Sequence, residues 1–168
     1  CHFPSRLGGE LESESRRLHV ASVVRAKIDS LFSVSSHPNI VVMGDFNDYP
    51  TNRSILEVIK AKPMTKEITP KGMYNLFYHF YDEGKKGTHK FAGEWGVLDQ
   101  MMVSGNLLNR NNTFYTQKEN ASIYDADFLL EDDKSDVGKR PFRNYVGFKY
   151  NNGFSDHLPI IVEFNLIK

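Results

Sequence analysis

Three short stretches of this chain set polar side chains where an apolar run stops or breaks. In "VVMGDFNDYP" (41–50), Asp45, Asn47 and Asp48 follow a strand-like run. Asp99 interrupts "VLDQMMVS" (97–104), and the triplet "SDH" (155–157) precedes "LPIIVEF". Each has a plain structural reading. Asp and Asn favour turns, a lone Asp99 can be a satisfied buried acid, and "SDH" can cap a strand. Taken together they offer the carboxylates of Asp45, Asp99 and Asp156, the amide of Asn47 and the imidazole of His157, all at strand ends. Groups mounted at the ends of rigid elements are typical of reactive sites. This inventory suits a divalent cation and phosphoryl chemistry.

The elements that must carry these groups are legible in outline. "CHFPSRLGG" reads as a strand end, a Pro turn and a Gly-Gly loop. In "ESRRLHVASVVRAKIDSLFSVS", Leu18, Ala21, Val24, Ile28, Leu31 and Phe32 recur at helical spacing, which predicts a helix with Ser13 as its N-cap. Arg16, Arg17, Arg25 and Lys27 then read as its solvated face. "NIVVMG" (39–44) predicts a strand buried on both faces. "TNRSILEVIKA" predicts a helix capped by Thr51 or Asn52. "MYNLFYHFY" is an aromatic core segment, followed by the turn "DEGKKG". "THKFAGEW" alternates and predicts one strand, and "VLDQMMVS" a second. "ASIYDADFLLEDD" reads as a strand with one helical turn. Residues 134–153 read as a long basic-aromatic loop in which Arg140, Arg143 and Tyr145 are candidates for a substrate lid, with a solvated loop as the alternative. "FSDHLPIIVEFNLI" places the polar triplet before a final strand.

The bulk composition sets limits. The chain has 168 residues, enough for one domain with a core. Aromatic residues at 12% favour a strand-rich protein. The 21 basic and 21 acidic residues balance, so the basic excess usual in a non-specific nucleic-acid binder is absent. Cys1 is the only cysteine, which excludes an internal disulfide. No apolar run reaches the ~18 residues of a membrane-spanning helix. No repeat or linker divides the chain.

The segments "HFPSR" (2–6), "GDFND" (44–48), "GEWGVLDQMMVS" (93–104) and "FSDHLPIIVEF" (154–164) occur in an order that resembles the carboxyl-terminal half of the endonuclease/exonuclease/phosphatase superfamily. That superfamily includes pancreatic deoxyribonuclease, exonuclease III-type abasic-site endonucleases, inositol polyphosphate 5-phosphatases and neutral sphingomyelinases. "GDFN" with a downstream "LD" and a terminal "SDH" is the specific combination. The resemblance implies an α/β fold that is part of a four-layer sandwich, two packed mixed β-sheets flanked by helices. It implies a phosphoesterase dependent on Mg²⁺, with Mn²⁺ as a substitute. Asp45 resembles the acid that deprotonates the attacking water, and Asn47 the amide that binds phosphate and holds that water. His157 resembles the histidine at the scissile phosphate and Asp99 the acid paired with it. Asp156 resembles a metal-site carboxylate, and His2 a strand-end histidine near the phosphate. Arg6 is a candidate phosphate contact, whereas Ser5, Asp48 and Ser155 read as structural. An extended backbone would point Asp45 and Asn47, at i and i+2, to one side.

The superfamily's amino-terminal half supplies an Asn and a Glu for Mg²⁺, and no such segment precedes Cys1. The expectation is a single-domain portion that is inactive alone. A sheet built to face a second sheet would leave an apolar face, so pairing with a missing amino-terminal half or with its own copy is also expected. A calcineurin-like phosphatase would need a "GNH" segment, which is absent. A non-catalytic binding domain and a DNA-specific endonuclease are the alternatives. The substrate class stays open among nucleic acid, phospholipid head group and sugar phosphate.

Overall fold

The computed structural model describes residues 1–64, 67–84 and 86–167. A 25-residue helix, α1 (Glu10–Val34), opens the chain. It starts before the expected cap because Gly8 and Gly9 take positive φ angles and turn the chain there. Glu10 and Glu12 occupy its first turn, where negative charge suits the helix dipole. Ser13 is therefore one turn inside, and its hydroxyl donates to the Gly9 and Glu10 carbonyls.

Next come β1 (Val41–Asp45), a π-helical segment (Ser54–Ile59), β2 (Ala61–Lys62), β3 (Met73–Asn75), α2 (Tyr78–Glu83), β4 (His89–Phe91), β5 (Glu94–Gly96) and β6 (Asp99–Ser104). The rest of the chain carries β7 (Phe114–Tyr115), β8 (Ala121–Ile123), β9 (Leu130–Asp132), β10 (Lys139–Pro141), β11 (Tyr145–Val146), β12 (Lys149–Tyr150), β13 (Ile160–Val162) and β14 (Asn165–Leu166). The described residues form a mixed four-stranded sheet in the order β1-β6-β3-β2 and five two-stranded ladders. The architecture is mixed α/β with few helices.

Apolar layers cover both faces of the sheet's centre. Val42 and Met102 join Ala21, Ile28 and Phe32 of α1 in one core, with Phe3, Phe46, Ile55 and Ile59. Met101 and Val103 point the other way, to Leu76, Phe77, Val97, Ile123 and Leu158. Alternate residues of β6 thus serve opposite cores, as in a strand buried on both faces. The burial expected of "NIVVMG" belongs to this strand instead. β1 is an edge strand, and its second face leaves Val41 and Met43 exposed.

Three further expectations change. "THKFAGEW" is a hairpin, because Ala92 and Gly93 both adopt positive φ and reverse the chain between β4 and β5. "TNRSILEVIKA" winds only as Ser54–Ile59, behind Arg53. Residues 134–153 contain β10 and the β11–β12 hairpin. The segment "DEGKKG" lies partly outside the described residues. No described helix is long and apolar enough to cross a membrane.

Candidate functional site

The antiparallel register of β1 with β6 sets Asp45 directly opposite Asp99. His2, 43 residues ahead of Asp45 in the chain, reaches the same place through a parallel bridge to Asp45, with Phe3 N–H donating to the Asp45 carbonyl at 2.9 Å. Gly44 makes this approach possible. A Cβ there would stand 1.9 Å from the Cys1 carbonyl oxygen, and its φ of 138° suits glycine. The glycine of "GDFND" is thus required by packing as well as by the turn.

Asn47 reaches Asp45 by a different route from the expected extended strand. Its φ is 49°, in the left-handed region that Asn tolerates. Its backbone N–H donates to Asp45 Oδ1 at 2.8 Å, and its side-chain nitrogen donates to Asp45 Oδ2 at 3.2 Å and to the Phe3 carbonyl at 3.0 Å. The turn therefore clamps both carboxylate oxygens.

His157 arrives from the loop before β13. A bridge pairs it with His89, and Leu158 N–H donates to the Thr88 carbonyl at 2.7 Å. The buried Thr88 hydroxyl accepts from the N–H groups of Leu98 and Asp99 at 3.3 and 3.2 Å. One residue thus ties the Asp99 and His157 segments together. His157 Nδ1 lies 2.6 Å from Asp99 Oδ2. His2 Nε2 lies 3.5 Å from Asp45 Oδ2. Ligand-capable atoms of Asp45, Asp99 and His157 all fall within 4.8 Å of one another.

These groups line one cleft of about 780 Å³. His2, Arg6, Asp45, Asn47, Asp99, Asp156 and His157, the residues singled out in the sequence, all border it. Asp156 is exposed and stands apart from the three converging residues. Arg6 borders the cleft, but its guanidinium is committed to the protein. Nε donates to the Asn47 carbonyl at 2.7 Å, and the two terminal nitrogens reach Glu10, Asp48 and Asn52. Arg6 also lies 4.5 Å above the Tyr49 ring. Arg140, Arg143 and Tyr145 do not border the cleft. Arg140 pairs with Glu131, and Arg143 donates to the Lys90 carbonyl.

The electrostatics are uneven. Burial raises the pKa of Asp45 against the opposing Asn47 hydrogen bond, and the nearby Asp99 charge adds to the rise. Burial of His157 opposes its cation, but the hydrogen bond and charge of Asp99, with Asp45 and Asp156, outweigh it and raise its pKa. His89 moves the other way, to about 4, through burial and then the charges of His157 and Arg143. Its ring centroid lies 4.7 Å from that of His157. The site therefore holds one histidine poised to be cationic beside one that stays neutral at pH 7.

Sequence reasoning missed three contributors. Thr88 and His89 sit inside an alternating "THKF" with no local sign of function. Arg17, read as solvated, is fully buried. Its Nε lies 2.8 Å from Asp48 Oδ1 but off the N–H axis, an ionic contact rather than an aligned hydrogen bond. Its other nitrogens donate to Ser13 Oγ and the Glu10 carbonyl. Asp48 also accepts from Ser54 Oγ at 2.5 Å. The only available signal was a basic residue at a helical position, Arg17 being four residues from the buried Ser13 and Ala21.

The carboxylate-rich cleft fits a hard divalent cation, which prefers oxygen ligands. Asp156, with no ion pair among the described residues, is the freest of its acids, whereas Asp99 is engaged by His157. A sequence model of the Endonuclease/Exonuclease/phosphatase family matches residues 1–166 of the chain. No curated protein and no solved structure matches it.

Proposed function

This chain belongs to the endonuclease/exonuclease/phosphatase family, and from that premise we propose that it hydrolyses a phosphate ester by in-line attack of water. The observation that carries this reading is the convergence of Asp45, Asp99 and His157 in one cleft. Asp45 takes the proton of the attacking water. Its raised pKa makes it a stronger base than an exposed aspartate, and the Asn47 clamp fixes its direction. The Asn47 side-chain oxygen, with its nitrogen already engaged, is free to accept from the same water. The water oxygen bonds to phosphorus, and the ester oxygen leaves with the electron pair of its P–O bond and is protonated by solvent.

His157, kept cationic by Asp99, donates from Nε2 to a phosphoryl oxygen where negative charge builds. His2, at the cleft's exposed edge, is a second donor to that phosphate. Arg6 shapes the Asn47–Asn52 turn through its hydrogen bonds. Asp156, which borders the same cleft, would hold Mg²⁺ or Mn²⁺, and the bound ion would supply charge neutralisation at the phosphoryl oxygens.

The test is hydrolysis by the purified chain of a generic phosphodiester, abasic DNA and sphingomyelin, with Mg²⁺ and with a chelator. Metal-dependent turnover lost in Asp45→Asn and in His157→Ala supports the reading. Turnover retained in both variants sinks the assigned roles. Turnover by this chain alone also measures whether its own carboxylates suffice for the ion.

A further inference from the structure

The floor and the rim of the cleft differ in chemistry. The floor carries the half-buried Asp45, Asp99 and His157, and the exposed Asp156 borders the same cleft. The rim carries two large apolar side chains that face solvent, Leu7 at 82% exposure and Phe91 at 75%. They come from separate elements. Leu7 stands on the loop ahead of α1, and Phe91 ends β4 just before the tight Ala92–Gly93 turn. Neither joins the two buried cores. The Phe91 ring lies nearly parallel to that of His89, at 14° and 6.5 Å between centroids, so it continues the histidine wall outward.

The cleft is also poor in cations. Among the described residues that border it, Arg6 is the one permanent cation, and its guanidinium is bonded to Asn47, Glu10, Asp48 and Asn52. Three carboxylates face it. A nucleic-acid strand needs a track of basic groups for its successive phosphates. One phosphate needs only the floor. The basic residues of the 139–143 segment are used elsewhere, Lys139 on Asp127, Arg140 on Glu131 and Arg143 on a backbone carbonyl.

We propose that this cleft takes an ester with a single phosphate whose organic group is flat or apolar, held at the rim by Leu7 and Phe91 while the phosphate meets the floor. The inference rests on the phosphoesterase reading and adds the substrate class to it. Burying an aromatic substituent against these two side chains favours it over a methyl group by roughly ten-fold in affinity. The same chemistry occurs in a soluble aryl or alkyl phosphate and in the head-group region of a phospholipid.

The experiment is calorimetric binding of phenyl phosphate and of methyl phosphate to the purified chain, with and without Mg²⁺. It is repeated on Leu7→Ser, Phe91→Ala and the double variant. Both side chains are exposed, so each variant is expected to melt cooperatively like the parent. The proposal requires phenyl phosphate to bind about ten-fold more tightly, with the preference reduced in each single variant and absent in the double. Equal affinity for the two esters in the parent, or an undiminished preference in the double variant, overturns it. A single-stranded oligonucleotide that binds more tightly than phenyl phosphate, in a manner Phe91→Ala leaves intact, overturns it while leaving the phosphoesterase reading standing. Failure of every phosphate to bind removes both. Co-sedimentation with phosphatidic acid vesicles that is lost in the double variant identifies a lipid as the source. Its absence beside a retained phenyl preference identifies a soluble ester, and both results support the proposed class.

Discussion

Asp45 and Asp48 stand three residues apart on one turn, yet they live in opposite surroundings. Asp48 is buried and satisfied: Arg17 and Arg6 supply charge, and the Ser54 hydroxyl supplies a hydrogen bond. Its backbone carbonyl accepts from Gln100 at 2.6 Å as well. Asp45 is half-buried, faces a second carboxylate across the sheet register, and opens onto the cleft. The first arrangement closes a charge and locks the turn to α1. The second leaves a charge incompletely compensated, which is what a base requires. A single motif thus supplies a bolt and, in the proposed reaction, the base, and access to solvent separates them.

The largest expected effect breaks the reactive side. Asp45→Asn should lower turnover about a thousand-fold, the scale of losing a general base with its electrostatic role. Its melting temperature should not fall, since the change relieves the repulsion with Asp99. A strongly destabilised variant would show that Asp45 is structural like Asp48.

The bolt predicts the reverse pattern. Arg17→Met removes the main charge partner of a buried carboxylate, and the cost is about 3–5 kcal/mol by urea denaturation. Turnover per folded molecule should change less than ten-fold. A stable Arg17→Met protein would mean that Arg6 alone compensates Asp48.

Thr88→Val sharpens the link between the regions. It keeps the shape of the side chain but leaves the N–H groups of Leu98 and Asp99 without their acceptor, at about 1–3 kcal/mol. Because Asp99 then orients His157 less well, the alkaline limb of the pH–rate profile should move to lower pH. Thr88→Ser should restore it. A loss of stability with an unmoved profile would confine Thr88 to packing.

The smallest effects are in titration. In proton NMR, His157 should lose its proton above the ordinary histidine value of about 6.5, and His89 should remain neutral down to about 4. The linked stabilities have opposite signs. The His157 contribution is complete below the unfolded pKa and is lost as pH rises through its raised folded value. The His89 contribution is present above the unfolded pKa and is lost as pH falls toward about 4. Two histidines titrating together near 6.5 would show that neither the burial of His89 nor the His157–Asp99 pair persists in solution.

Much of the site could be read before any coordinates. Asp45, Asn47, Asp99, Asp156 and His157 announce themselves because polar groups at strand ends break an apolar pattern, and that break is local in sequence. Thr88 and His89 leave no such mark. Their importance comes from what they touch, ten residues on for Leu98 and about seventy for Leu158. Arg17 misleads for a related reason. A basic residue at a helical position is normally solvated, and only the arrival of Asp48 beneath α1 makes its burial favourable. The strand "NIVVMG" was apolar enough for two buried faces, but its place at the sheet edge is a property of topology. The β4–β5 hairpin turns at Ala92, a residue that gives no warning of positive φ.

The amino-acid sequence by itself determined which groups can react and that apolar strands would carry them, since residue chemistry and periodicity are local properties. Tertiary structure decided which of those groups share a cleft, which carboxylate is neutralised and which is left open, and which histidine holds its proton. Those outcomes depend on distance and burial between segments far apart in the chain, and only the packed fold sets either.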